Sequence, residues 1–176
     1  MRFGDIPQIG TANYKIDLTW NDLEPWLTRL REYLTVDLDP DYQRNFVWSP
    51  YQQTAYLEYI LGGGYSGRAI YFNAACWHTV HKVGSLIELV DGKQRLATIQ
   101  SFLAGKIKAF GQYYAEFGDQ PDMFTTQMQI YIHDLPDRVK VVNWYIKMNT
   151  GGSIHTATDL QPAYNLLKRL SVSTSG

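Results

Sequence analysis

Residues 86 to 103, LIELVDGKQRLATIQSFL, change their hydrophobic period at one point, and this change constrains the fold more than any other feature of the chain. The first six residues are rich in branched apolar side chains and predict a buried strand that ends at Asp91. After Gly92, apolar residues recur at the spacing of one helical face, at Leu96, Ile99, Phe102 and Leu103. Gly105 is predicted to end that helix. A strand that passes into a helix through an Asp-Gly pair predicts a sheet packed against helices.

Similar patterns along the rest of the chain predict further strands and helices around this unit. We expect strands at 14–18, 68–74 and 128–135, and helices at 20–34, 50–61, from about 137 to 149, and from Thr156 or Thr158 to Lys168. Residues 37–50 predict an ordered loop, 75–85 a hairpin or sheet edge, and 106–127 short strands. The fold class predicted from these elements is α+β.

Composition predicts the class of protein. A chain of 176 residues with 45% hydrophobic and 19% charged residues predicts a single globular domain over residues 1–176. The sequence contains no run of about 18 apolar residues, the length that a membrane span needs, and its first residues lack the basic-then-apolar layout of a signal peptide. We therefore expect a cytoplasmic protein without membrane contact. The net charge of −1 means that any contact with DNA must use a local patch.

The first polar cluster is DGKQR, Asp91 to Arg95, at the predicted junction of strand and helix. The first free N–H groups of a helix and its dipole favour an anion, and Lys93 and Arg95 add positive charge. Gly92 allows close approach of the backbone. Asp91 is then predicted to bind Mg²⁺ or to accept a proton from a sugar hydroxyl or an attacking water. The alternative is structural: Asp91 caps the helix and pairs with a neighbouring base.

Two more clusters carry polar side chains in predicted loops. Gln43, Arg44 and Asn45 lie between aromatic residues in PDYQRNFVW, residues 40 to 48, where the rings stack a base or anchor the loop to the core. The sequence NTGG, residues 149 to 152, ends a predicted helix. Asn149 and Gly151 suit a positive φ there, so the segment is either an anion-binding loop or an ordinary helix C-cap.

In this order, the three clusters resemble a known family. PDYQRNFVW, a helix with Gln52 and Gln53 near its start and Ile60-Leu61 near its end, VDGKQRLATI, and YIKMNTGG followed by Asp159-Leu160 are similar to the N-terminal domain of GmrSD-type modification-dependent restriction systems. The resemblance covers residues 37 to 161. It implies a ParB/sulfiredoxin-like α+β domain, with a small mixed sheet packed with helices, that binds a nucleoside triphosphate through a DGQQR-type motif. Here Lys93 occupies the third position of that motif.

The resemblance implies a role for each matched residue. Asp91, Gly92, Gln94 and Arg95 are expected to form the nucleotide site, with Lys93 as an added cation and with Asp91 and Arg95 catalytic. Asp91 is also the expected ligand of Mg²⁺. Gln43 and Arg44 are expected to support the site from the facing loop. Asn149, Gly151 and Gly152 are expected to line the pocket.

Three hypotheses from different classes follow. The leading one is a nucleotide-binding domain and NTP hydrolase that acts as a sensor or switch in a restriction, phage-defence or mobile-element system, with a nuclease subunit or defence complex as its protein partner. The second is a non-catalytic DNA- or protein-binding module, such as a phage-borne partner or inhibitor of a defence complex. The third is a ParB-like endonuclease, for which Asp37, Asp39 and Asp41 are candidate carboxylates. Cys76, His78 and His81 are a further, weaker candidate for a metal site.

Overall fold

The computed structural model describes residues 14–75, 77, 85–150 and 157–173. These residues form five strands and five α-helices. The strands are β1 (Tyr14–Thr19), β2 (Leu34–Asp37), β3 (Ala69–Asn73), β4 (Ser85–Asp91) and β5 (Gln127–His133). The helices are α1 (Trp20–Arg31), α2 (Pro50–Leu61), α3 (Lys93–Leu103), α4 (Arg138–Thr150) and α5 (Ala157–Ser173). This confirms the α+β class.

The strands form one mixed sheet in the order β1-β5-β3-β4-β2. β1 pairs antiparallel with β5, and β3 pairs antiparallel with β4, whereas β5 runs parallel to β3 and β2 runs parallel to β4. The three inner strands, β5, β3 and β4, are therefore paired on both edges. β4 carries a continuous buried run from Ile87 to Val90, as expected for a strand buried on both faces.

Each face of the sheet has its own hydrophobic core. On one face, Ile70, Phe72 and Leu89 pack with α1, α2 and α3, and Trp20 and Phe102 meet there edge to face. On the other face, Val90 packs with Val142 of α4 and with other residues of α4 and α5. α4 and α5 lie near β4, and the side chains of β1 and β5 on that face stay partly exposed.

Local sequence accounts for most of the element boundaries. Ser49 accepts a hydrogen bond from the N–H of Gln52, whose side chain accepts one from the N–H of Ser49, and Pro50 opens α2. This capping box satisfies two amides that the helix leaves unpaired. None of the described helices is long and apolar enough to cross a membrane.

The end of one predicted helix and one predicted region of strands are wrong. The helix predicted for 20–34 ends at Arg31, and Leu34 begins β2 instead, where it pairs with Ser85. Leu34 is still buried. Its place in the periodic pattern therefore indicates burial but does not indicate a helix. Residues 106–127, predicted as short strands, form turns, one 3₁₀ turn at Tyr114–Glu116 and an isolated bridge between Ala109 and Gln112. The predicted hairpin or edge at 75–85 falls mostly outside the described residues.

Long-range hydrogen bonds from one arginine side chain hold the 106–127 segment in place. Arg68, just before β3, donates hydrogen bonds to five backbone carbonyl oxygens, those of Ile60, Gly64, Phe124, Thr125 and Gln127. One guanidinium thus joins the end of α2 to the segment that precedes β5. The predicted strand at 68–74 gave no sign of this role, because three of the five partners are backbone atoms more than 50 residues away in sequence.

Candidate active site at the end of strand β4

Gly92 forms the junction between β4 and α3. Its φ of +107° and ψ of 7° lie in a region that L side chains rarely adopt, and its carbonyl accepts the N–H of Leu96 at 2.8 Å. A Cβ at this position would lie 3.1 Å from Cγ1 and 3.3 Å from Cα of Ile70. The position therefore requires glycine for two separate reasons, its backbone angles and the close approach of β3. Because glycine caps the helix without a side chain, the first-turn amides receive no side-chain cap.

A cavity of about 430 Å³ opens beside this junction. Every predicted site residue that the structure describes lines it, together with several others. The lining residues are Gln43, Arg44, Val47, Trp48, Gln52, Val90, Asp91, Gly92, Lys93, Gln94, Arg95, Tyr145 and Asn149. The structure thus brings together the 40–48 loop, the start of α2, the DGKQR segment and α4. Gly151 and Gly152 lie outside the described residues.

Each cation of the cavity has an acidic partner. The Arg95 guanidinium lies 2.6 Å from the Asp91 carboxylate, and the Arg44 guanidinium lies 3.5 Å from that of Asp159. The Lys93 ammonium contacts Asp39 and also donates to the Arg44 carbonyl oxygen at 3.0 Å. These pairs balance the charge of the site. Asp91 therefore makes the local ion pair that the structural alternative expected, but it does not cap α3, whose N-cap is Gly92 without a side-chain hydrogen bond.

Arg95 retains one unused donor. Its Nε is buried and has no hydrogen-bond partner among the described residues. A buried N–H without an acceptor costs about 1 to 3 kcal/mol, and more for a charged group, so this donor favours a ligand that brings an oxygen into the cavity.

Two glutamines fix the walls of the cavity through the backbone. Gln94 Oε1 accepts the N–H groups of Val47 and Trp48 at 2.9 and 3.1 Å, and its Nε2 donates to the Asn45 carbonyl oxygen at 3.2 Å. Gln43 Nε2 donates to the carbonyl oxygens of Leu89 and Val90 at the end of β4. Both side chains bind the 40–48 loop to the β4–α3 junction, and this gives them a positioning role.

The aromatic residues of the loop divide into an anchor and a wall. Tyr42 is fully buried, packs on Tyr145 with ring centroids 5.2 Å apart, and anchors the loop. Trp48 is partly exposed, lines the cavity and packs on Tyr56 of α2. Burial also raises the pKa of Tyr145, so its hydroxyl stays protonated at neutral pH. Trp48 and Tyr145 are lining residues that the site prediction left out, although both stand within the quoted segments.

A cluster of charged side chains, of which Glu88 is buried, supports the 40–48 loop. Arg138 of α4 contacts Glu88 at 3.3 Å and Asp41 at 2.6 Å, and its guanidinium lies over the Tyr42 ring. Burial raises the pKa of the Glu88 carboxyl, and the charge of Arg138 opposes this shift. The cluster joins the loop, β4 and α4, three of the elements that surround the cavity.

Several sequence interpretations need correction. Asn149 does not occupy a positive-φ helix stop, because α4 continues to Thr150, and Asn149 Nδ2 donates to the Tyr145 carbonyl oxygen within that helix. Asp37, Asp39 and Asp41 do not share a face: Asp37 accepts the N–H of Asp39, and the other two contact Lys93 and Arg138.

The candidate metal site at Cys76, His78 and His81 lies outside the described residues. Within the part of the chain that is described, there is no group of three or more metal-ligating His, Cys, Asp or Glu side chains.

Comparison with known proteins identifies the family. The family described as GmrSD restriction endonuclease, N-terminal domain, matches residues 26–129, which include Gln43, Arg44 and the DGKQR segment and end before Asn149. No significant match was found among curated proteins or among solved structures. Because the matched range covers more than half of the chain, the protein belongs to the GmrSD restriction endonuclease N-terminal domain family.

Proposed function

We propose that this chain binds a nucleoside triphosphate together with Mg²⁺ in the cavity at the end of β4 and hydrolyses it, as a sensor or switch in a restriction or phage-defence system. The single observation that carries the proposal is that Arg95, whose buried Nε has no partner among the described residues, lines a cavity beside an uncapped helix start. Family membership supports the restriction context. The ParB/sulfiredoxin-like relationship of the fold is part of the same proposal.

The phosphates belong beside Gly92. The uncapped amides of α3 and the positive end of its dipole favour negative charge there, and Arg95 supplies a guanidinium suited to two phosphate oxygens. Arg44 faces the same cavity from the loop. A volume of about 430 Å³ accommodates a nucleotide-sized ligand. The base is assigned to the side of the cavity formed by Val47 and Trp48, where the indole offers a stacking surface.

Among the described residues that line the cavity, Asp91 is the acidic one, and this fits Mg²⁺. In nucleotide sites Mg²⁺ is usually held by one or two protein carboxylates, with phosphate oxygens and waters completing the shell. When bound, the ion would neutralise charge on the phosphates. A cation held by Asp91 would compete with Arg95 for the carboxylate, and the guanidinium would then be available to the phosphates. The ion pair therefore holds both side chains at the site before the ligand arrives.

Hydrolysis requires little beyond this positioning. The oxygen of a water attacks the terminal phosphorus, the bond to the bridging oxygen breaks, and a nucleoside diphosphate and phosphate leave. The oxygen of Asp91 that does not hold the ion orients the water and accepts its proton. Arg95 stabilises the charge that spreads over the terminal oxygens.

Calorimetric titration with ATP, GTP and CTP in the presence of Mg²⁺ tests binding. Arg95→Ala should reduce affinity at least about tenfold, the scale of one lost charged contact of about 1.5 to 3 kcal/mol. Arg31→Ala is the matched control, because Arg31 is exposed and pairs with Glu24 away from the cavity. Equal affinity in Arg95→Ala and Arg31→Ala would refute the phosphate assignment.

Asp91→Asn tests turnover separately from binding. Phosphate release should fall by about 100-fold or more if Asp91 acts as the base, while nucleotide affinity changes less. Full activity in Asp91→Asn would show that the carboxylate has only its structural role with Arg95.

The second candidate is a non-catalytic DNA- or protein-binding module. The observation that favours it is the charge balance of the cavity, in which three cations are already paired. Exposed apolar side chains at Phe124, Met123 and Phe110 would suit a protein partner, since they are 76%, 64% and 59% exposed. The absence of any thermal shift with ATP, GTP or CTP would favour this candidate. Endonuclease action ranks third, because Asp37, Asp39 and Asp41 each contact a different partner and do not form a paired-carboxylate site.

A further inference from the structure

A row of aromatic side chains crosses the face of the sheet that α4 covers only in part. Tyr71 of β3 stacks on Tyr131 of β5 at 5.0 Å with nearly parallel rings, and Trp144 of α4 meets Tyr71 edge on at 6.1 Å. His133 follows on β5, with its ring centroid 4.2 Å from that of Trp144. We call Tyr71, Tyr131, His133 and Trp144 the aromatic row. All four side chains are partly exposed, so they are not fully buried in the hydrophobic core.

Trp144 and His133 also form one wall of a shallow groove of about 550 Å³, which we call the α4 groove. Its lining residues are His133, Leu135, Lys140, Asn143, Trp144 and Lys147. Positions 140, 143, 144 and 147 follow helical spacing, so α4 presents them on one side. The groove therefore has an indole at its centre and a lysine toward each end.

The charge of the α4 groove differs from that of the nucleotide cavity. None of its lining residues is acidic, and Lys140 and Lys147 are exposed and make no ion pair with a described residue. The nearest acidic residues in sequence are Asp134, next to His133, and Asp137, three residues before Lys140. At the other end of the row, Lys15 lies over the Tyr131 ring at 5.6 Å and contacts Asp17 at 3.7 Å. In a chain with a net charge of −1, this groove is a local positive patch.

We propose that the α4 groove and the aromatic row bind an unpaired strand of nucleic acid. Aromatic faces between cations match a strand whose bases are free to stack and whose phosphates carry negative charge, and stacking of this kind tolerates any base sequence. A duplex hides the faces of its bases, so the groove fits a single strand better. The proposal deepens the proposed function, because it places the DNA contact of the restriction context at a defined surface.

The row also connects this surface to the nucleotide cavity. In the sheet pairing, Lys15 lies opposite Tyr131, Tyr131 opposite Tyr71, and Tyr71 opposite Asp91. A strand bound at Trp144 therefore lies within two side chains of the Asp91–Arg95 ion pair. Contact with Tyr71 gives such a strand a physical route to that pair.

Fluorescence anisotropy of the full chain with a labelled oligothymidine at low salt tests the proposal. Trp144→Leu keeps apolar contact with the core that contains Val90 and Val142, but it removes the stacking face. It should therefore weaken oligonucleotide binding by about tenfold or more. Trp144→Phe retains an aromatic face and should restore most of the affinity. Lys140→Ala/Lys147→Ala should make the slope of log K against log salt shallower by roughly 1.4, because two phosphate contacts are lost.

Three controls separate the outcomes. Lys106→Ala/Lys168→Ala removes two exposed lysines that do not line the groove and should bind like the unmodified protein. Arg95→Ala should keep oligonucleotide affinity while it loses nucleotide affinity, and Trp144→Leu should do the reverse. A labelled duplex should bind more weakly than the single strand.

No binding of oligothymidine by the unmodified protein at low salt would overturn the proposal and would favour a protein partner on this face. Equal binding by Trp144→Leu, Lys140→Ala/Lys147→Ala and the unmodified protein would overturn it as well, because the strand would then bind elsewhere. If Arg95→Ala abolished both ligands, the two sites would be one, and the separate groove would be refuted.

Discussion

Replacing Gly92 by alanine tests the geometry on which the candidate site depends. An L residue held at positive φ costs about 1 to 2 kcal/mol. The added Cβ would also approach Ile70 to between 3.1 and 3.3 Å, and one of the three close atoms is a backbone Cα that side-chain rotation does not move. Overpacking of this kind costs about 1 to 3 kcal/mol. The expected loss in free energy of unfolding is therefore about 2 to 5 kcal/mol, a large share of the stability of an ordinary domain.

Gly105→Ala is the matched control. Gly105 ends the same helix with a φ of +67°, and a Cβ there would meet nothing within 4 Å. Its expected loss is only the backbone part, about 1 to 2 kcal/mol. Urea unfolding of the two variants and the unmodified protein measures the difference. Equal losses in both variants would refute the close approach to Ile70, and no loss in Gly92→Ala would refute the backbone geometry of the junction.

Three further predictions concern residues that support the site. Arg68→Ala should lose about 3 kcal/mol or more in urea unfolding because five carbonyl oxygens lose a charged donor, whereas Arg31→Ala should change stability by less than about 0.5 kcal/mol. Gln94→Ala should lower the free energy of unfolding by about 1 to 3 kcal/mol and should weaken nucleotide binding. Gln94→Glu keeps an acceptor for the two loop amides and should lose less stability. Equal losses in the two variants would contradict the role of that acceptor. Burial raises the pKa of Glu88 above its ordinary 4.5, so the folded state binds this proton more tightly than the unfolded state, and the stabilising contribution falls as pH rises from 4.5 through the folded pKa. The free energy of unfolding of the unmodified protein minus that of Glu88→Gln should therefore decrease with pH in this window, and a difference that increases would contradict the burial argument.

The sequence predicted the β4–α3 junction well because its signals are local. Branched apolar residues, a glycine and a helical period follow one another within 18 residues, and each acts on its own neighbours. The 106–127 segment had no such signals. Its shape depends on Arg68, whose hydrogen bonds reach across the fold, and periodicity does not record contacts of that kind. Leu34 was assigned to a helix because burial alone does not distinguish a helix from a strand that pairs with β4.

The same distinction applies to the candidate site. The ordered motifs predicted that the 40–48 loop, the DGKQR segment and α4 lie together, and the structure places them around one cavity. They did not predict the ionic partners, because Asp39 and Asp159 lie 54 and 115 residues from Lys93 and Arg44 in sequence. Gln94 was expected to form the nucleotide site and Gln43 to support it from the facing loop, but the motifs did not predict that the amides of both side chains bind the backbone of the walls. Such roles depend on tertiary geometry, which spacing does not give.

A crystal structure of the protein with Mg²⁺ and a non-hydrolysable nucleoside triphosphate is the most direct measurement of the central proposal. We expect the phosphates beside Gly92, an oxygen within hydrogen-bond distance of Arg95 Nε, and the Asp91 carboxylate turned from the guanidinium toward the metal. A nucleotide bound at another surface, or a cavity that stays empty at saturating nucleotide with the Asp91–Arg95 pair unchanged, would contradict the account.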